Sequence, residues 1–263
     1  SDECVLPEGH YLKAQEDEDN KALAGLTPTQ KAMDVNVKQA QSVAGEVLWC
    51  SGRTRLDIAY ATSRCCSLAT TEPQRAVRIG KCILRYLIAT ADYGIYYPSA
   101  QAIKGQDLLL EKDGVKPFDE QFRQDTIVSF SDSSYAPEAT DQVSIGGFIV
   151  YLAGAPVAWR CSRQELQSYS TLESELQAAK EGFTGTLSIS TLLGELSLHH
   201  FKVWLAIDNK PCVQLLVSNQ PTSWRTRHLK IRADILTQSR ASGIIALKHV
   251  PGEIELADLL TKA

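Results

Sequence analysis

The order of apolar segments in residues 126–263 is the feature that most restricts how this chain can fold. Short runs rich in β-branched and aromatic residues alternate with segments whose apolar residues recur every three or four positions. The predicted strands are Thr126–Phe130, Gly147–Leu152, Pro156–Arg160, Val203–Ile207 and Ile244–Val250. The first three follow one another closely and predict an antiparallel meander. With the intervening helices, the order β-β-β-α-β-α-α-β-α predicts an α/β fold, a mixed five-stranded sheet flanked by helices.

Helices are predicted between and after the later strands. Ser170 and Glu173 have the spacing of a capping box, so a long helix should begin at Ser170. Gly182 and Gly185 each cost this helix on the order of 1 kcal/mol relative to alanine, so packing must hold it or something must approach closely there. Its buried face is predicted to contain Leu172, Leu176, Ala179, Phe183 and Leu187. Further helices are expected at Pro211–Val217, from about Arg225 to Arg240, and from about Glu253.

The first half of the chain has a different pattern. Residues 1–43 include an acidic run at 16–19 and little apolar periodicity, which predicts a surface-draped or partly disordered lead-in. Residues 44–97 have helical spacing with a break near Pro73, and residues 98–124 form a polar connector. Residues 125–263 then form the second of two expected domains. The second helix of the 44–97 segment should have one apolar face, formed by Ala76, Ile79, Ile83, Tyr86 and Leu87.

Composition excludes several classes of protein. The 263 residues are 44% hydrophobic and 22% charged, as in an ordinary globular protein, and the net charge of -4 argues against binding polyanions through overall charge. The seven cysteines are odd in number and without a CxxC pair, which argues against a zinc site or a disulfide framework and favours a reducing, intracellular setting. No apolar run approaches the roughly 20 residues that span a bilayer, so no membrane partner is expected. A start at Ser1 suggests a fragment of something longer.

Four acidic residues are predicted at junctions between elements. They are Asp132 after the first strand, Glu175 early in the first helix, Asp208 after the fourth strand and Asp258 early in the last helix. A single such acid is more often a cap or turn residue, but strand ends and helix starts at one sheet edge can bring all four together. Converging carboxylates raise each other's pKa unless cations neutralise them. Their oxygen atoms favour Mg²⁺ or Mn²⁺, and two such ions would suit hydrolysis of a phosphodiester.

At these acids the chain resembles the ribonuclease H domain of retroelement reverse transcriptases, in particular of the Ty1/copia class. Upstream, residues 56–61 and 83–87 resemble the helical segment that links polymerase to ribonuclease H in copia-type polyproteins. About two hundred residues are covered, and the combination is more specific than any single motif. The segments that carry the resemblance are Phe130–Asp132, Gly146–Arg160, Glu175–Ala178, Ala206–Asn209, Arg225–His228, Val250–Glu253 and Leu256–Lys262.

The resemblance implies a ribonuclease H-like fold preceded by a small helical segment, and a specific activity. It implies an endonuclease that cuts the RNA strand of RNA/DNA hybrids with two Mg²⁺ ions, downstream of a polymerase domain in a longer polyprotein. Asp132, Glu175, Asp208 and Asp258 would be both the catalytic residues and the metal ligands. Glu173 competes for the helix position, but residues two apart on a helix face different directions, and capping accounts for Glu173.

Two features qualify this expectation. Many ribonucleases H have a histidine shortly before the last acid, whereas residues 251–258 contain none and His249 is expected within the strand. We therefore expect slower turnover or a different way of releasing the product. No Tyr-Xaa-Asp-Asp sequence occurs, so this chain should not synthesise DNA.

Basic residues cluster in residues 224–232, near the start of a predicted helix. The resemblance suggests that this cluster, together with Arg160 and Arg163 near the end of the third strand, steers the hybrid to the metal site. Exposed cations contact phosphates without sequence preference, although a solvated helix face is the simpler reading. The nucleic-acid-binding candidates are Arg160, Arg163, Arg225, Arg227, His228, Lys230 and Arg232.

Two other functions remain open from the sequence. The same fold could be a catalytically silent module that binds nucleic acid or acts as a scaffold. An integrase or transposase of the same fold superfamily is a weaker alternative, because those enzymes typically lack this order of four acids. The expected location is intracellular, either cytoplasmic in a virus-like particle or nuclear.

Overall fold

A mixed five-stranded sheet forms the centre of the molecule, as predicted. The computed structural model describes residues 28–99, 125–136, 143–197, 200–218 and 227–262. The strands are β1 (Thr126–Ser134), β2 (Ile145–Leu152), β3 (Ala155–Arg163), β4 (Lys202–Ile207) and β5 (Ala246–His249), in the order β3-β2-β1-β4-β5. β1, β2 and β3 form the predicted antiparallel meander, whereas β4 runs parallel to both β1 and β5. Both kinds of pairing therefore meet at β1.

β1 is longer than its apolar pattern predicts. The prediction ended the strand at Phe130, but Asp132 lies within it, opposite Gly147 of β2. The polar residues continue the strand because their backbone groups still pair with β2, which side-chain polarity does not reveal.

Three helices cover one face of the sheet: α4 (Thr171–Ser197), α5 (Lys210–Val217) and α6 (Arg227–Ala241). The predicted buried face of α4 is confirmed, because Leu176, Ala179 and Phe183 are buried and Leu172 and Leu187 pack beside them. Both α4 glycines lie at close contacts. A Cβ atom on Gly182 would lie 2.8 Å from Ser129 Oγ, and one on Gly185 would lie 2.6 Å from Phe148 Cε2.

The upstream helices α1 (Pro28–Arg53), α2 (Ala59–Leu68) and α3 (Pro73–Ala89) pack on one another, and α2 reaches the other face of the sheet. Ala59 belongs to the same buried cluster as Phe130, Ile149 and Leu260. The indole N–H of Trp159 on β3 also donates a hydrogen bond to the backbone oxygen of Ser51, at 2.8 Å. The helical segment and the sheet therefore share a hydrophobic core.

Several element boundaries differ from the predictions. α1 begins at Pro28, inside the segment expected to be a lead-in, and Tyr86 is exposed, with its hydroxyl bonded to Asp57. The expected last helix consists of two 3₁₀ turns, Gly252–Ile254 and Leu256–Leu260. His249 belongs to β5, as predicted, but the strand is shorter than the predicted Ile244–Val250 and ends at this residue. Among the described residues, no helix combines the length and apolar character needed to cross a membrane.

Candidate metal centre

Three of the four predicted acids meet at one edge of the sheet. β1 and β4 are parallel, so Asp132 near the end of β1 and Asp208 directly after β4 lie at the same edge. Asp258 reaches this edge from the 3₁₀ helix Leu256–Leu260, which we call the C-terminal 3₁₀ helix. One carboxylate oxygen from each of the three lies within 4.8 Å of the others. For these three acids the arrangement is the one that the sequence predicted.

Glu175 borders these three acids from the first turns of α4. The hydroxyl of Ser133 donates a hydrogen bond to its Oε1 at 3.0 Å, whereas its Oε2 is buried and has no hydrogen-bond partner among the described residues. Burial raises the pKa of Glu175 to about 8, with further increases from the charges of Asp132 and Asp208. An unpartnered buried carboxylate oxygen beside other carboxylates is suited to a cation.

Glu173, the competing acid, is accounted for by other contacts. It is fully buried and accepts a hydrogen bond from the backbone N–H of Tyr169 at 2.8 Å, and its other oxygen contacts the Arg232 guanidinium. The hydroxyl of Ser170 accepts from the Glu173 backbone N–H at 3.2 Å, as a capping box requires. The structure therefore separates Glu173 from the acidic cluster.

Burial and the neighbouring carboxylates make the negatively charged forms of Asp132 and Asp208 less favourable. Burial raises the pKa of Asp132, and the hydrogen bond from the Thr261 hydroxyl works in the opposite direction. The pKa of Asp208 is raised first by burial and then by the charge of Asp132. Lys262 is the cation beside them, because its ammonium contacts Asp258 and lies 3.7 Å from Asp132 Oδ2.

The sequence reasoning missed the roles of Glu255, Thr261 and Lys262. Glu255 is buried, with one oxygen accepting from the Ala257 backbone N–H at 3.1 Å and the other without a partner among the described residues. Burial raises its pKa well above the ordinary value, and the nearby aspartates raise it further. The four-residue spacing of Asp258 and Lys262 could have indicated their contact. No comparable signal marked Glu255, because its burial depends on how the chain turns after β5.

Gly147 allows the C-terminal 3₁₀ helix to reach the cluster. It lies opposite Asp132 in the sheet, and a Cβ atom there would be 2.7 Å from Leu260 Cβ and 3.1 Å from Thr261 Cγ2. A side chain at this position would push away the segment that carries Asp258 and Thr261.

The donor atoms fit a hard divalent cation. Mg²⁺ binds oxygen ligands at about 2.0–2.1 Å, so two ligands of one ion are separated by no more than about twice that distance. The three aspartate oxygens lie within 4.8 Å of one another, which is close to this maximum separation of two ligands. The Glu175 oxygen without a hydrogen-bond partner among the described residues supplies a further donor atom.

The predicted nucleic-acid contacts fall into two groups. Arg160 and Arg163 on the edge strand β3, together with Arg232 on α6, line a groove that also contains Lys180. Arg227, His228 and Lys230 are exposed at the start of α6, outside the residues that line this groove. Arg225 lies outside the described residues. The His249 ring nitrogen Nε2 lies 2.9 Å from the Asp208 backbone oxygen, which holds that ring at the end of β5.

Sequence comparison finds relatives among retrotransposon polyproteins, although no family model matches the chain. The chain is 27% identical over 209 residues to the retrovirus-related Pol polyprotein from transposon RE1 of Arabidopsis thaliana, a match that covers 80% of the chain and 13% of the polyprotein. It is 24% identical over 192 residues to the transposon Ty1-DR5 Gag-Pol polyprotein of Saccharomyces cerevisiae, covering 68% of the chain and 11% of the polyprotein. The chain thus corresponds to a small part of each relative's length.

Among solved structures, similar chains include two ribonucleases H1. The LC11 enzyme isolated from compost is 13% identical with a TM-score of 0.41, covering 52% of this chain and 92% of that one. The enzyme of Halobacterium salinarum is 16% identical with a TM-score of 0.38, covering 51% and 93%. The sequence relatives of this chain therefore include Ty1/copia-type Pol polyproteins, and its mixed five-stranded sheet with preceding helices is the architecture that the resemblance to ribonuclease H domains implied.

Proposed function

We propose that this chain is a metal-dependent ribonuclease H that hydrolyses the RNA strand of RNA/DNA hybrids. The proposal rests on the convergence of Asp132, Asp208 and Asp258. Beside them lies a buried Glu175 oxygen that has no hydrogen-bond partner among the described residues. Carboxylates that raise one another's pKa within a fold favour divalent cations as counter-charges.

Asp132, Glu175, Asp208 and Asp258 would hold Mg²⁺ or Mn²⁺. When bound, two such ions would make an attacking water more acidic and offset charge on the phosphodiester during in-line displacement. The chain's own residues orient the ligands, because Ser133 holds one oxygen of Glu175 and Thr261 holds one oxygen of Asp132. Hydrolysis of this kind needs no side-chain nucleophile.

The resemblance and the charges around the site support an RNA/DNA hybrid as the substrate. Arg160, Arg163 and the exposed cations at the start of α6 would contact phosphates, and the 2′-hydroxyls would distinguish RNA from DNA. In a Pol polyprotein, a polymerase domain upstream would produce the hybrid. We also propose that a polymerase domain is this chain's partner in a longer polyprotein and that the protein acts inside the cell.

Cleavage of a labelled RNA/DNA hybrid with Mg²⁺ tests this function. The parent chain should shorten the RNA strand, Asp208→Asn should abolish cleavage, and the matched control Asp92→Asn, at an exposed position after α3, should cleave like the parent. A parent chain that binds the hybrid without cutting it would instead support a silent nucleic-acid-binding module. Cleavage of duplex DNA in preference to the hybrid would support an integrase-like nuclease.

A further inference from the structure

Helix α3 has a charge opposite to that of the whole chain. Its 17 residues include Arg75, Arg78, Lys81 and Arg85 and no acidic residue, whereas the chain has a net charge of -4. The overall composition therefore does not reveal this local positive charge. A basic surface on an acidic protein can attract a negatively charged partner.

The four cations lie on one exposed face of α3. Their spacing of three, three and four residues aligns them along the helix, and all four are exposed. The opposite face contains Ala76, Gly80 and Ile83, which are buried.

The cations of this face differ in how they are paired. Arg75 pairs with Glu72 at 3.3 Å, whereas the side chains of Arg78, Lys81 and Arg85 form no ion pair or hydrogen bond within the described part of the chain. We call these three residues the α3 stripe. From Arg78 to Arg85 the stripe extends about 10 Å along the helix, at 1.5 Å per residue.

We propose that the α3 stripe binds the sugar-phosphate backbone of the RNA/DNA hybrid beyond the part held at the metal centre. This inference rests on the proposed function for the identity of the polyanion. A nucleic-acid strand presents a phosphate about every 3.4 Å, so several phosphates can lie within reach of three cations. Tyr93, Tyr96 and Tyr97 follow α3, are 62–63% exposed and add hydroxyl groups of a kind that also contact phosphates.

Helix α3 is linked to the metal centre through its contacts with α2. α2 packs against both β3 and the C-terminal 3₁₀ helix that carries Asp258, and α3 packs against α2. Packed helices are about 8–10 Å apart, so α3 lies roughly one helix layer beyond the one that borders the metal centre. A hybrid of about one duplex turn, on the order of ten base pairs and about 34 Å long, is long enough to cover a separation of this order. A much shorter hybrid would contact the metal centre alone.

The test compares the parent with the triple variant Arg78→Gln, Lys81→Gln, Arg85→Gln. Binding to a hybrid of about two duplex turns is measured against salt, with Asp208→Asn present in every protein so that the hybrid stays intact. We expect at least about a tenfold loss of affinity in the triple variant, and a salt slope smaller by about one unit per lost contact. A doubly substituted control, Arg78→Lys and Arg85→Lys, keeps the charges and should bind like the parent. Lys202→Gln, an exposed cation at the end of β4 away from Asp208, controls for a general loss of charge.

A second measurement separates the stripe from the metal centre. In proteins with Asp208 intact, the triple variant should cleave a hybrid of well under one turn at the parent's rate and the long hybrid more slowly at low concentration. If the triple variant bound the long hybrid with the parent's affinity and salt slope, the proposed role of the α3 stripe would be wrong. Equal losses of cleavage rate on the long and short hybrids would also contradict it. A parent that binds but does not cleave would refute the proposed function alone, because the binding comparison is independent of cleavage. Preference for an acidic protein over nucleic acid would also overturn the inference.

Discussion

At the scale of single residues, the buried carboxylates make the metal-free protein sensitive to pH. The folded-state pKa of Glu175 is about 8, against an ordinary value of 4.5. Between these values the folded state binds more protons than the unfolded state, so the free energy of unfolding should decrease as pH rises from about 4.5 to about 8. Thermal unfolding in EDTA at pH 5 and pH 8 measures this change. Adding Mg²⁺ should raise the melting temperature more at pH 8, because the carboxylates are then charged.

Glu175→Gln is the control for this prediction. The amide cannot ionise, so the metal-free variant should lose less stability between pH 5 and pH 8 than the parent does. An equal loss in both proteins would assign the pH dependence to other groups, such as Glu255 and Asp132, whose pKa values burial also raises.

Lys262 provides a second prediction at the residue scale. Its ammonium contacts Asp258 and lies 3.7 Å from Asp132, where it offsets charge that a divalent ion would otherwise offset. Lys262→Gln should therefore destabilise the metal-free protein and increase its affinity for Mn²⁺, as measured by titration calorimetry. Lys262→Arg keeps the charge and should differ little from the parent. Weaker Mn²⁺ binding by the glutamine variant would contradict this competition.

At the scale of elements, the contact between α4 and the sheet depends on the absence of a side chain at Gly182. A Cβ atom there would lie 2.8 Å from Ser129 Oγ and 3.3 Å from Phe148 Cβ. Alanine gains about 1 kcal/mol in helix propensity, but overpacking typically costs about 1–3 kcal/mol and here involves atoms close to the strand backbone. We expect Gly182→Ala to lower the free energy of unfolding in urea.

The matched control for Gly182→Ala is Gly45→Ala on α1. Apart from the neighbouring turns of its own helix, no atom of the described residues lies within 4 Å of a Cβ atom at Gly45, so only the propensity gain applies and the variant should be stabilised by up to about 1 kcal/mol. Stabilisation by both substitutions would show that the α4 contact tolerates a methyl group.

At the scale of the whole molecule, the upstream helices and the sheet should unfold together. Ala59 shares a buried cluster with strand residues, and Trp159 bonds to Ser51 across the boundary between the two predicted domains. We expect one cooperative transition in urea, with Trp159→Phe losing about 0.5–1.5 kcal/mol from the missing hydrogen bond. Two separate transitions, one of them unaffected by Trp159→Phe, would instead support domains that fold independently.

The sequence by itself determined the features that repeat locally along the chain. Alternation every two residues predicted the strands, and spacing of three and four residues predicted the buried face of α4. The capping box at Ser170 was also local, because its partners are three residues apart. Acids placed directly after apolar strands indicated a shared sheet edge, and Asp132 and Asp208 are confirmed at that edge.

Only the tertiary structure decided the features that depend on distant contacts. Asp132 lies inside β1 because Gly147 of β2 pairs with it, and α1 begins at Pro28 because packing can stabilise a helix whose own pattern is weak. Glu255 and Lys262 join the acids because the chain after β5 turns back over Gly147. Some of these contacts, such as that of Lys262 with Asp132, join residues more than a hundred positions apart, and local periodicity has no information about contacts between separate segments.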